Sequence, residues 1–172
     1  MKMQRKYLVL ATVAGAIVAM DQAVKLHVHA HFGLGESVPV IKDIFHITYV
    51  RNTGAAFGFL RDTAESFRKI FFLAMPPVAM IVIASMLKSV DEDDRWQILS
   101  LSAIFGGALG NYVDRLRFGF VIDFLDFHYK EAWSYPAFNI ADSAIVGGVC
   151  LLLLIMTVRD RAAKKAAPQA KA

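Results

Sequence analysis

The sequence predicts a mainly α-helical membrane protein with four transmembrane helices, and three observations carry that prediction. The 172 residues are 56% hydrophobic, with a mean hydropathy of +0.46, more apolar than a soluble domain of this size requires. The apolar residues gather in four runs, 7–26, 70–87, 96–113 and 138–158. Each is close to the roughly 20 residues that cross a hydrocarbon core at about 1.5 Å per residue. The basic residues are unevenly shared between the connections: residues 1–6, 88–95 and 159–172 hold ten Lys or Arg in 28 positions, whereas 27–69 and 114–137 hold eight in 67. The positive-inside rule then places both termini and the short middle loop in the cytoplasm. Basic tails beside membrane spans do not call for nucleic acid as a partner.

The first run follows Lys2, Arg5 and Lys6, as a secretory leader would, but it ends in Asp21 and Lys25 rather than in a small-residue cleavage site. Three further spans follow, so it reads as a retained helix. Residues 37–50 carry one proline and partly alternating Val38, Val40, Ile44, Ile47 and Val50, the pattern of one or two strands. Arg51-Asn52-Thr53-Gly54 is a turn signal, after which 55–60 reads as a further strand and 61–69 as a polar lead into the second span. Pro76-Pro77 predicts a kink there. Residues 88–95 form a tight acidic turn. Gly106-Gly107-Ala108-Leu109-Gly110 gives the third span a small-residue face for close helix approach. Residues 114–137 hold a short apolar stretch at 118–127, then Trp133 and Tyr135 as interfacial anchors. Cys150, the single cysteine, lies in the fourth span and reads as packing. The tail 159–172, rich in Ala and Lys, reads as disordered. Residues 1–158 form a single domain without internal repeats.

With both termini inside, topology brings Asp21 and Lys25, Asn52, Asn111, Asp114 and Arg115, Asp123, Asn139 and Asp142 to one outer face of the bilayer. Each has an ordinary explanation. Asp21 and Lys25 have the i, i+4 spacing of a helical ion pair; Asp114 and Arg115 suit a helix end near headgroups; Asn139 suits an N-cap and Asp142 the first turn of a helix. Asp123 fits none of these, because Val121, Ile122, Phe124 and Leu125 surround it with apolar side chains that raise a carboxylate's pKa. Two acids beside membrane spans, 19 residues apart, are a costly feature unless they are used. Paired carboxylates that share one proton can act as acid and base together, and the sequence leaves open which of them holds it. His27, His29 and His31 alternate, but period two aligns them only on a strand, and no Cys or carboxylate completes a set, so no metal site is expected. A proton-coupled transporter would place acids deep in the spans rather than at one face. A non-catalytic assembly factor would function without the aspartates.

Five blocks then carry a resemblance: Asp21-Gln22-Ala23-Val24-Lys25, Asn52-Thr53-Gly54-Ala55-Ala56-Phe57, Gly110-Asn111-Tyr112-Val113-Asp114-Arg115, Val121-Ile122-Asp123-Phe124 and Phe138-Asn139-Ile140-Ala141-Asp142-Ser143. In this order, over residues 7–158, the chain resembles signal peptidase II, the bacterial lipoprotein signal peptidase. The resemblance implies four transmembrane helices with a small extracytoplasmic antiparallel β-sheet cradle in the bacterial inner membrane. It implies an aspartic endopeptidase that removes the signal peptide of prolipoproteins by cleaving before a diacylglyceryl-modified cysteine. Asp123 and Asp142 fall on the catalytic positions. Asn52, Gly54, Asn111, Arg115 and Asn139 fall on substrate-binding or supporting positions, as do Asp21, Lys25 and Asp114. No cofactor or metal is implied, membrane lipid surrounds the enzyme, and a monomer is expected. Val24 stands where many relatives have Ser or Thr, which bears only on local packing. The small-residue face of the third span offers room for the substrate's acyl chains.

Overall fold

A computed structural model describes residues 4–54, 64–130 and 132–166; the strand expected at 55–60 lies outside them. Four long helices, α1 (Arg5–His31), α2 (Glu65–Ser89), α3 (Arg95–Phe118) and α4 (Ile140–Ala166), carry at one end a four-stranded antiparallel sheet. Its strands are β1 (Ser37–Ile41), β2 (Phe45–Asn52), β3 (Val121–Tyr129) and β4 (Trp133–Ser134), in the order β1-β2-β3-β4. The helices α1, α2 and α4 are each long and apolar enough to cross a membrane. Their outward faces expose Leu8, Met20, Ile70, Ile81, Val146 and Leu154, which is the polarity of a surface solvated by lipid rather than water. α2 runs through Pro76 and Pro77 as one helix.

α3 is less apolar because it is the central helix. It packs against α1, α2 and α4 and buries Ser100, Ser102, Gly106, Gly107, Gly110, Asn111 and Asp114, so little of its surface has to meet lipid. Its small-residue face is filled by other helices. A side chain at Gly106 would strike the backbone of Ala14 on α1, and one at Gly107 would strike the carbonyl of Ala141 on α4. The face expected to leave room for acyl chains is therefore occupied by α1 and α4. Gly107→Val is expected to force α4 away from α3 and to cost about 1–3 kcal/mol as an overpacked contact. A thermal melt in detergent would read this as a lowered midpoint, and an unchanged midpoint would contradict the packing.

Away from the sheet, the helix ends are tied by polar contacts. Lys6 is buried and its Nζ donates to the carbonyls of Lys88 (2.8 Å) and Val90 (2.9 Å) just past α2. Arg159 donates to Asp94 Oδ2 (2.5 Å) and Gln97 Oε1 (3.0 Å). This anchor, with good helix formers behind it, explains why α4 continues to Ala166, where the sequence suggested a disordered tail from 159. Cys150, expected to be packing, is exposed on α4.

The sheet's register decides what faces the bundle. Phe45 pairs with Phe127 and Ile47 with Leu125, but the next pair on that face is Val50 with Asp123. Three steps along β2 thus match two along β3, which is a β-bulge at residues 48 and 49. Because side chains alternate with period two, the extra residue turns Asn52 to the face of β3 that carries Asp123. Without it, Asn52 would point the other way. The stretch 118–127, read only as apolar, is largely β3; its first four residues are buried on both faces, which hides the alternation of a strand.

Candidate active site

The polar residues predicted to share one face form a continuous hydrogen-bonded set where α1, α3 and α4 meet β2 and β3. Its base is an ion cluster. Lys25, fully buried, places Nζ 2.7 Å from Asp21 Oδ2, 3.0 Å from Asp114 Oδ2 and 2.9 Å from Asn111 Oδ1. Three acceptors match the three protons of an ammonium. Asp21 also accepts from the backbone N–H of Ala141 at 2.9 Å, and Asp114 from that of Ile122 at 3.0 Å. These two carboxylates therefore pin the start of α4 and the start of β3 to α1 and α3. Gln22 adds a bond from Nε2 to Asp114 Oδ1 at 2.7 Å. Its side chain stands out only as a polar residue in an apolar run, and no role was read for it in the sequence.

Above this base, three asparagines hold two further carboxylates. Because the Asn111 oxygen faces Lys25, its Nδ2 is turned to Asp142 Oδ1, 2.6 Å away. Asn139 does two things at once: Oδ1 caps α4 by accepting from the Asp142 N–H at 2.8 Å, and Nδ2 donates to Asp123 Oδ1 at 2.6 Å. Asn52, brought round by the bulge, donates to Asp123 Oδ2 at 3.0 Å, while its Oδ1 accepts from the Gly54 N–H at 3.0 Å. Gly54 has φ +128° and lies so close to the Phe72 ring that a methyl group there would collide, so conformation and space both call for glycine. Arg115 stacks its guanidinium 5.5 Å from the centre of the Phe72 ring and has Asp142, Asp114 and Asp123 as charged neighbours.

Asp123, only 1% exposed, is pushed up to about 7, first by burial and then by the nearby Asp142 carboxylate; the Asn52 and Asn139 bonds act in the opposite direction. Neither Asp123 nor Asp142 forms an ion pair among the described residues, since the buried ammonium of Lys25 is taken by Asp21 and Asp114. Beside Asp142 opens a cleft of about 450 Å³ lined by Phe127, Trp133, Tyr135, Phe138, Ser143 and Val146. Trp133 and Tyr135 were read as membrane anchors; the joining of Phe127 to Phe138 depends on β3 pairing and had no signal in the sequence. The alternating histidines lie on the last turn of α1, where His29 bonds Tyr49 and His31 the carbonyl of His27. No metal-ligand cluster occurs among the described residues.

Fold and site together define a multi-pass membrane protein with a buried carboxylate–amide centre at the sheet end of its helix bundle. A family model described as signal peptidase (SPase) II matches residues 13–158, and the chain belongs to that peptidase family. A lipoprotein signal peptidase of Geobacter metallireducens is 46% identical over 158 residues, which are 92% of this chain and 95% of the relative. That of Pseudomonas syringae pv. tomato is 43% identical over 140 residues, 81% and 80% of the two chains. A solved structure described as a bacterial membrane enzyme superposes with a TM-score of 0.78 at 31% identity, covering 92% of each chain.

Proposed function

We propose that this protein is an aspartic endopeptidase that removes the signal peptide from prolipoproteins by cutting before a diacylglyceryl-modified cysteine, with Asp123 and Asp142 as its catalytic pair. The relatives' description as lipoprotein signal peptidases supports the substrate class. The observation that carries the catalytic assignment is the Asn139 bridge, which bonds the Asp123 carboxylate and the Asp142 backbone together, with no cation paired to either acid among the described residues. In this reading Asp123 holds the shared proton and Asp142 is ionised at the first turn of α4, a favourable place for a carboxylate.

Asp142 takes a proton from a water molecule as it attacks the scissile carbonyl, and Asp123 gives its proton to the carbonyl oxygen. The tetrahedral diol then collapses: Asp123 recovers a hydroxyl proton, Asp142 gives its proton to the leaving nitrogen, and the pair returns to its starting state. Asn52, Gly54, Asn111 and Asn139 hold the two acids in place, Arg115 sets positive charge beside them, and Asp21, Lys25 and Asp114 fix the elements that carry them. In the membrane α3 is the fourth crossing, both termini lie in the cytoplasm, and the site faces the extracytoplasmic side. The protein works as a monomer.

A shared proton gives a testable pH dependence. Since kcat/KM reports the free enzyme, it is expected to fall about tenfold per unit above about pH 7, as the proton held by Asp123 is lost. EDTA is expected to leave turnover unchanged. A rate that stays level well above pH 7, or that chelation abolishes, would contradict the mechanism.

A further inference from the structure

The opposite face of β2 carries a second polar constellation that the catalytic reading does not use. Tyr49, 2% exposed, places its hydroxyl between Arg51 Nε, which donates to it at 2.8 Å, and His29 Nδ1, 2.5 Å away. With the phenol oxygen accepting from Arg51, its hydrogen is left to bridge to the imidazole. The Arg51 guanidinium lies over two rings, 5.4 Å from the centre of Tyr49 and 4.9 Å from that of Phe120. Phe120 stacks on Phe118 at 5.8 Å, and the Arg117 guanidinium lies 5.2 Å from Phe118. His29 packs against both phenylalanines.

Arg51 thus has its Nε satisfied, while the residue is exposed and neither terminal nitrogen has a hydrogen-bond or ion-pair partner among the described residues. Arg117 is exposed too and has no carboxylate partner among the described residues. Arg117 lies in the last turn of α3, beside exposed Leu116, and Arg51 is tied through Tyr49 to His29 in the last turn of α1. A rigid planar fork with two free N–H₂ groups matches the paired oxygens of a phosphate, and its place on a membrane protein selects the source of that phosphate. We infer that Arg51 and Arg117, backed by Tyr49, His29 and the Phe118–Phe120 stack, form a docking site for the phosphate of an anionic phospholipid headgroup. Because Arg51 adjoins Asn52, a lipid held there steadies the strand that positions Asp123. This consequence rests on the proposed function, whereas the binding site does not.

Native mass spectrometry of the purified full chain, offered phosphatidylglycerol or phosphatidylcholine in detergent, tests the site. Wild type is expected to retain phosphatidylglycerol at least about tenfold better than phosphatidylcholine, whose choline ammonium would bring a positive charge beside the two guanidinium groups and offset the attraction of the shared phosphate. Arg51→Gln/Arg117→Gln is expected to lose that preference with its melting midpoint unchanged. Lys42→Gln, which removes an exposed cation in the turn between β1 and β2, is expected to keep it. Equal retention of the two lipids by wild type would overturn the proposal. So would an equal loss in the Lys42 variant, which would mean net charge alone, or full displacement by millimolar inorganic phosphate, which would mean a free-phosphate site. The readout is binding, so it stands or falls independently of peptide cleavage.

Discussion

Asp142→Asn is expected to lower kcat/KM by about 10²- to 10⁴-fold, the range lost when a positioned acid or base is removed, while leaving the fold intact. The structure makes this a clean substitution. Asp142 Oδ1 accepts from Asn111 Nδ2, a bond that an asparagine oxygen retains, and the new amide group can occupy the other position beside the cleft. Asp123→Asn is expected to lose as much activity but also some stability. Both Asp123 oxygens accept from amides, Asn139 on one and Asn52 on the other, and an asparagine has only one oxygen to offer. Neither donor can turn over easily, because Asn139 Oδ1 caps α4 and Asn52 Oδ1 accepts from Gly54. One N–H₂ would therefore face another, at a cost of about 1–3 kcal/mol. Since the two acids act in the same steps, the double variant is expected to be no slower than the worse single one. Steady-state rates and melting midpoints of the three variants check these points; additive losses would mean two independent roles.

Lys25→Met is expected to be among the most damaging substitutions in the chain for stability, by about 3–5 kcal/mol. The ammonium pairs with two carboxylates that are themselves fully buried, and those carboxylates hold the backbone of α4 and β3. Its loss leaves Asp21 and Asp114 buried without a cation and frees Asn111 from the contact that turns its N–H₂ toward Asp142. Lys25→Arg is not expected to rescue, because a planar fork does not fit three acceptors arranged around a single ammonium nitrogen. Adding Asp114→Asn to Lys25→Met removes one stranded charge and is expected to recover part of the loss. Thermal melts in detergent decide this, and a shift worth less than about 1 kcal/mol would show that the cluster is not what holds these elements together.

Much of this arrangement is legible in the sequence because the physics is local. Long apolar runs announce the helices, and Asp21 with Lys25 or Asn139 with Asp142 are helix-spacing relationships that need no tertiary knowledge. What escaped depends on distant contacts. That Lys25 has a second carboxylate in Asp114, and that its pull on Asn111 orients an amide toward Asp142, follows only once α1 and α3 are packed. The β2 bulge that turns Asn52 toward Asp123 leaves no mark in composition, and β3 hides its period because its first residues are buried on both faces. The small-residue face of α3 was legible as a site of close approach, but its occupants were not. The helical continuation of α4 past residue 158 rests on Arg159 reaching Asp94 and Gln97, again a contact between distant segments. The five motif blocks carried the family resemblance, and the match over residues 13–158 agrees with it.

The most direct test of the central claim is to incubate the purified chain with a diacylglyceryl-modified prolipoprotein and map the products by mass spectrometry, beside an unlipidated substrate and the Asp142→Asn variant. The expected result is a single cut immediately before the lipidated cysteine, absent with the unlipidated substrate and nearly abolished in the variant. Cleavage that ignores the lipid, falls elsewhere, or persists at the wild-type rate in Asp142→Asn would contradict the account.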